Sequence, residues 1–251
     1  MLPVIATDDE DIYITGDTHF GHANIIKYCH RPFLGLQDQA ELAKTDGKWH
    51  NGSWKGPKEN KYKISPQGVE IQDSTLIDLI NATVPADAHL IHVGDFSLAP
   101  KNVSGWPAYA QRVKAYRDRI NCRKVSIVWG NHDAPHPIAD YFHWSGWKGK
   151  IELKKLDTII VCDHTMNGVW DLSHRGSMHV YGHTHSEIEP YAEVAMPGRR
   201  SIDVGVDNAA KLLGQYRPFR LQEIIDLLKD KPGFGFNPNA PTNYKGPVEA
   251  S

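Results

Sequence analysis

The chain has 251 residues, 40% of them hydrophobic, and a formal net charge of −2 at pH 7. That length fills the core of one large domain, and the near-neutral balance excludes a generally basic protein that coats nucleic acid. Three scattered cysteines, Cys29, Cys122 and Cys162, are too few for a disulfide framework and fit a reducing compartment.

Residues 1–11 lack a basic start and a long apolar core, so no signal peptide is expected. No apolar run approaches the ~20 residues that span a bilayer. A cytoplasmic protein without a membrane partner is the expectation. Ile12-Tyr13-Ile14 is a short β-branched and aromatic run, which predicts a buried strand. Asp17-Thr18-His19 follow it, and residues 23–29 read as a short helix. Residues 44–63, KTDGKWHNGSWKGPKENKYK, hold six lysines against Asp46 and Glu59, with Trp49, Trp54 and Tyr62 interleaved. Lysines attract phosphates and aromatic faces stack bases, which makes Lys48, Trp49 and Trp54 candidate substrate contacts. The alternative is a solvated loop whose tryptophans cover the domain surface.

Residues 73–83 read as a second helix, with Asp73 as N-cap and Leu76, Ile77 and Ile80 on one face. Leu90-Ile91-His92-Val93 predicts another strand, ending at Gly94-Asp95. Over 106–120, Tyr109, Val113, Tyr116 and Ile120 recur at helical spacing and belong to the core. Val125-Ser126-Ile127-Val128-Trp129 predicts a strand that delivers Gly130-Asn131-His132-Asp133. Residues 151–153 and 158–162 read as a hairpin leading to His164. Strands follow over 178–181, just before Gly182-His183-Thr184-His185, and over 201–206. Residues 221–229 form a last helix with Leu221, Ile224, Ile225 and Leu228 inward. Residues 232–251 are rich in Gly, Pro and Asn without periodicity, and read as a loosely ordered tail after a domain over 1–231. Strands alternate with helices early and pair as hairpins late, so an α/β fold with mixed sheets between helical layers is expected. There is no internal repeat.

The polar clusters sit where open α/β sheets place their ligands, at the carboxyl ends of strands. Two carboxylates, one amide and four imidazoles converging on one rim can hold two divalent metals. Carboxylate and imidazole donors suit manganese, iron, zinc, cobalt or nickel. No cysteine lies in the clusters, so a closed thiolate zinc site is not indicated. Two metals ~3.5–4 Å apart need a bridging anion. Asp95, alone after a glycine, is the candidate bridge, and Gly94 lets the backbone come close. Taken singly, each piece has a plainer explanation. Asp-x-His is usually a surface turn, Gly-Asp a turn or cap, and a lone His164 a packed or surface histidine.

The order D-x-H, G-D, G-N-H-D, H, G-H-x-H resembles the calcineurin-like metallophosphoesterase superfamily over residues 12–206. GDTHFGHANII, residues 16–26, further resembles a subgroup of single-domain enzymes, and against that subgroup's shorter connection residues 44–72 look like an insertion loop. The resemblance implies a four-layer α/β/β/α sandwich, two mixed sheets face to face with helices outside. It implies one metal held by Asp17, His19, Asp95 and His185, and a second held by Asp95, Asn131, His164 and His183. A hydroxide bridging the metals is then the nucleophile. His132 matches the superfamily's catalytic histidine and assists the leaving alkoxide. Asp133 is read as a catalytic partner that orients His132, or as a support for the loop backbone. His22 and Asn131 are also candidate substrate contacts, His22 because it stands at the start of the first helix; a role supporting the metal-binding residues from behind, or a capping role, is its alternative. His30, His50, His89, His92, His136, His143, His174 and His179 are read as surface or packing histidines. Manganese is the first expectation for the two divalent ions, with iron, zinc, nickel or cobalt as alternatives. The activity implied is phosphodiester hydrolysis on a nucleotide or nucleic-acid type of substrate. A phosphomonoesterase with the same metal core and a non-catalytic binding module on the same fold are the competitors. Filled ligand positions and the presence of His132 favour an enzyme. The natural substrate and the oligomeric state stay open.

Overall fold

The structure, a computed structural model, describes residues 1–44 and 62–233. In chain order its elements are β1 (Val4–Thr7), β2 (Ile12–Thr15), α1 (Ala23–Tyr28), α2 (Leu36–Ala43), α3 (Pro66–Thr83), β3 (His89–His92), α4 (Trp106–Arg119), β4 (Lys124–Val128), β5 (Trp144–Gly146), β6 (Lys148–Leu153), β7 (Thr158–Asp163), β8 (Met178–Tyr181), α5 (Glu189–Ala195), β9 (Ser201–Asp203), α6 (Val206–Leu213), β10 (Phe219–Arg220) and α7 (Leu221–Leu228).

The strands build two five-stranded sheets, ordered β10-β2-β3-β4-β5 and β1-β6-β7-β8-β9. In the first sheet β2, β3, β4 and β5 are parallel, with β10 antiparallel at one edge. In the second, β6 and β7 form the expected antiparallel pair, while β7, β8 and β9 are parallel. Side chains alternate across a strand, and this sorts the core into layers. Ile12, Ile14, Ile91 and Val128 from the first sheet meet Ile151, Ile160, Cys162, Val180 and Ile202 from the second. Tyr13, Leu90, Val125 and Ile127 point the other way, onto Leu76, Ile77 and Ile80 of α3 and Tyr109 and Val113 of α4. Each such fully buried aliphatic side chain contributes roughly 1.5–3 kcal/mol. The outer face of the second sheet is covered by the 165–177 segment, where Trp170 packs on Ile159 and Val161, and by α5. The result is the expected sandwich of two mixed sheets flanked by helices. Among the described residues no helix is long and apolar enough to cross a membrane.

Two boundaries differ from the expectation. Helix α3 begins seven residues before Asp73, because Ser65 is the N-cap, its Oγ accepting from the Gly68 amide at 3.1 Å, and Pro66 fits the first helical turn. Residues 66–72 are therefore helix and not insertion loop. Asp73 lies inside the helix, where its carboxylate accepts from the Gly21 amide and the Tyr116 hydroxyl. Second, the run over 201–206 is strand only to Asp203. Gly205 then caps α6, whose first turn carries Asp207. Pro232 and Gly233 are the last described residues. Arg200 donates to the Lys231 carbonyl beside them at 2.7 Å, and the remainder of the expected tail lies outside the described residues.

Candidate metal centre

Parallel strands bring their carboxyl ends to one edge of a sheet, and both sheets do so on the same rim. Asp17 follows β2, Asp95 follows β3, Asn131 follows β4, His164 follows β7, and His183 and His185 follow β8. Gly16 pairs with Gly205, linking the end of β2 to the end of β9 across the sheets. The loops are held together by backbone bonds, from the Asp17 amide to Gly94 O at 3.0 Å and from the His19 amide to Asp95 O at 2.9 Å.

Turning these side chains inward requires unusual backbone. Asp17, His19, Asp95, His183 and His185 all have positive φ, between 48° and 70°. Left-handed backbone in a non-glycine residue costs on the order of 1–3 kcal/mol and collects at functional sites. Here it falls on five of the seven residues expected to bind metal. Gly94 has φ +99°, and a Cβ there would stand 2.5 Å from His164 Nδ1, so only glycine lets the Asp95 loop pass this close.

The ligand atoms divide into two groups, Asp17 with His19 and His185, and Asp95 with His164 and His183, the atoms of each lying within 4.8 Å of one another. Asp95 joins them. Its Oδ2 is 3.5 Å from His19 Nε2 in the first group and 3.4 Å from His164 Nε2 in the second. Asn131 Oδ1 lies 3.0 Å from His164 Nε2, beside the second group. The donor set fits a pair of divalent cations on several counts. Both ring nitrogens of His19 are buried without a hydrogen-bond partner, a cost of about 1–3 kcal/mol for a polar group that a cation would relieve. Burial, with Arg31 next, drives the His19 pKa well below its ordinary value, which keeps the ring neutral as a ligand must be. His164 Nδ1 faces Val93 O at 2.8 Å and His185 Nδ1 faces Asp207 Oδ2 at 2.7 Å. Each contact fixes a tautomer that leaves Nε2 toward the cluster, the arrangement common to metal-binding histidines. Burial opposes a charge on His185, yet the bond to Asp207 outweighs it and carries its pKa up to about 11. Burial likewise pushes the Asp17 carboxyl up to about 7. For Asp95 burial acts in the same sense, but the His164 imidazole overcomes it and holds the carboxyl below its usual value.

Several supporting residues carry no signal in the sequence. Arg31 is fully buried, donates to both Asp207 oxygens at 2.9 and 2.7 Å, and reaches the Asp17 and Thr18 carbonyls at 2.7 and 3.2 Å. It therefore ties the first metal loop to α6. Asp203 accepts from Thr184 Oγ1, the Ser186 amide and the Gly205 amide, and so shapes the loop bearing His183 and His185. His92, among the packing histidines, does pack: it bonds Thr18 Oγ1 at 3.0 Å and accepts from the Gly94 amide at 3.2 Å. A tripeptide such as Ser201-Ile202-Asp203 or a lone arginine offers no sequence pattern that would have marked these positions.

His132 and His22 stand at the mouth. The His132 side chain is 37% exposed, its Nε2 is 4.0 Å from Asp95 Oδ2, and its ring centroid is 5.1 Å from that of His19. The His22 ring is 5.9 Å from His132 and its Nδ1 is buried without a hydrogen-bond partner. His22 occupies the N-cap position of α1 without a side-chain cap bond, so the capping alternative does not hold. Both rings line a cleft of about 500 Å³ whose far wall is Ile25, Tyr28, Glu187 and Ile188. Asp133 plays a different part from the catalytic one expected. Its Oδ2 accepts from the Asp95 and Gly130 amides, both at 2.9 Å, and its Oδ1 accepts from the Phe96 amide at 3.0 Å. It clamps the Asp95 loop to the His132 loop, which is the backbone-support alternative. Lys48, Trp49 and Trp54 lie outside the described residues.

No protein-family model matches the chain. It is 24% identical over 218 residues to the uncharacterized protein MJ1445 of Methanocaldococcus jannaschii, covering 87% of this chain and 91% of that protein. Its fold is similar to that of the protein of unknown function AQ665 from Aquifex aeolicus, with a TM-score of 0.53 and 16% identity over 86% of this chain and 98% of the other. At that identity the likeness concerns the fold alone.

Proposed function

We propose that this chain is a metal-dependent phosphoesterase of the calcineurin-like metallophosphoesterase kind, acting on phosphodiesters. The observation that carries the reading is Asp95, a carboxylate standing between two groups of ligand atoms, with histidine nitrogens at 3.5 and 3.4 Å on either side. Asp17, His19 and His185 would hold one cation, His164, His183 and Asn131 the other, with Asp95 shared. Two divalent cations, when bound, supply Lewis acidity toward phosphoryl oxygens and bring the pKa of water near neutrality. Manganese is put first for the pair, with iron, zinc, nickel or cobalt as alternatives that the same oxygen and nitrogen donors suit. The Asp133 clamp and the Arg31 bonds hold those donors before substrate arrives, so little ordering is left to the reaction. His132 reaches into the cleft from a loop fixed by its own amide, which donates to Asp95 Oδ1 at 2.8 Å. Its Nε2 is the proton donor to the leaving oxygen. His22 stands beside it as a contact to the phosphoryl group. The apolar wall of Ile25 and Ile188 suits a substrate with an organic arm on each side of phosphorus. A nucleotide or nucleic-acid substrate accords with the lysine and tryptophan run in residues 44–63. A cytoplasmic setting accords with three free cysteines.

The test is hydrolysis by manganese-loaded protein of bis-p-nitrophenyl phosphate, p-nitrophenyl phosphate, cyclic nucleotides and single-stranded DNA. The diester is expected to turn over faster than the monoester. A reversed preference makes the protein a monoesterase. No turnover of any of the four, with manganese, iron, zinc, nickel or cobalt, sinks the proposal.

A further inference from the structure

Behind His185 lies a second cluster of different chemistry. Cys29, His185 and Asp207 bring a sulfur, a ring nitrogen and a carboxylate oxygen within 4.8 Å of one another. Cys29 closes α1, His185 follows β8, and Asp207 sits in the first turn of α6. A cavity of about 380 Å³ opens onto all three, with His30, Lys211 and Tyr216 around them. None of the oxygen and nitrogen donors of the dinuclear centre is a thiol. Thiolate selects zinc over manganese, and one sulfur, one nitrogen and one oxygen with a fourth position facing a cavity is a zinc coordination set.

We infer that Cys29, His185 and Asp207 form a regulatory site for a soft divalent cation, zinc foremost, which competes with the dinuclear centre for the His185 ring. The competition follows from the imidazole's two nitrogens. His185 Nδ1 now faces Asp207 Oδ2 at 2.7 Å, which leaves Nε2 toward Asp17 and His19. Zinc taking Nδ1 sends that proton to Nε2, the nitrogen the first group needs, and Cys29 releases its thiol proton to solvent as the sulfur–zinc bond forms. One proton leaves per ion bound, and no redox partner is involved. The ring and carboxylate must part slightly, to about 3 Å or a little more, to admit an ion with bonds of about 2 Å. Arg31 opposes a cation here through its charge, and the new thiolate offsets that charge.

The experiment titrates manganese-loaded full-length protein with cobalt, then with zinc. Cobalt at this site gives a thiolate-to-metal absorption band in the near ultraviolet, which the dinuclear centre, lacking sulfur, does not give. Zinc added after cobalt removes the band, and zinc added to a separate manganese-loaded sample releases about one manganese per chain. Cys29→Ser loses the band and needs at least about tenfold more zinc to release manganese, since loss of a supporting contact alone costs a metal site about 10–100-fold. Absence of the band in the wild type at millimolar cobalt overturns the inference. So does its persistence in Cys29→Ser, or equal zinc sensitivity of the two proteins. The readout is absorption and metal content, so it stands if the protein proves to hydrolyse no phosphate ester.

Discussion

Asp207→Asn removes one negative charge from the interior while keeping the side chain's shape, so no cavity is created. Asp207 is 6% exposed and its partner Arg31 1%, and the two are joined by bonds of 2.9 and 2.7 Å. An amide nitrogen on either side of the new residue faces a donor, Arg31 on one and both Arg31 and His185 on the other. Breaking a buried pair by removing one partner costs about 3–5 kcal/mol. For a chain of this size that is a fall in Tm of roughly 6–20 °C. An independent route gives a similar scale. The Arg31 guanidinium and the His185 bond overcome the burial penalty and bring the Asp207 carboxyl from 3.8 to about 2, worth about 2.5 kcal/mol. Because the folded value is depressed, that stability is fully present above pH 3.8 and is lost as the pH falls through 2. Asp207→Asn should therefore lower Tm at neutral pH and remove this acid-sensitive window in metal-free protein. Without Asp207 to fix its tautomer, His185 should also bind metal about 10–100-fold more weakly. Thermal melts with and without manganese, together with manganese titration calorimetry, measure all three effects. A melting shift below about 2 °C with unchanged manganese affinity would mean that Asp207 neither braces Arg31 nor orients His185.

His132→Ala should retain both cations and lose about 10²–10⁴-fold in diester turnover; loss of a cation with normal turnover per remaining metal would count against its role as proton donor. The His179 imidazole is stacked between Trp170 and Tyr181, and burial lowers its pKa to about 3. From pH 6.5 down to 3 the unfolded chain takes up a proton that the folded one refuses, so stability falls as pH falls. His179→Phe should flatten that slope by about 1.4 kcal/mol per pH unit, read from urea unfolding at a series of pH values; an unchanged slope would place the acid sensitivity elsewhere.

The convergence of the polar clusters was legible because each is a short polar word after a β-branched run, and parallel strands deposit such words on one rim. Asp17, His19, Asp95, His164, His183 and His185 follow from that logic, and Met178–Tyr181 was read to the residue. The residues that brace those clusters were not legible. Arg31 and Asp207 are 176 positions apart in the chain, and their partnership exists only because α6 folds back onto the loop bearing Asp17 and His19. The β-branched run over 201–206 reads as one strand, yet Gly205 bonds back to Asp203 at 2.7 Å and turns Val206 into a helix. Asp73 resembles a cap by type, while the Ser65-Pro66 pair is the stronger helix-start signal and prevails. Asp133 adjoins His132 in sequence but faces the opposite way, into the amides of the Asp95 loop. Neighbours in a tight loop point apart, so adjacency in sequence says little about a shared role.

Manganese stoichiometry decides whether Asp95 joins a pair of cations. Metal-free protein dialysed against manganese and assayed by elemental analysis should hold two ions per chain, and Asp95→Asn should hold fewer at the same concentration. A plateau at one ion in the wild type at millimolar manganese, or an unchanged two in Asp95→Asn, would show that Asp95 does not bridge a pair.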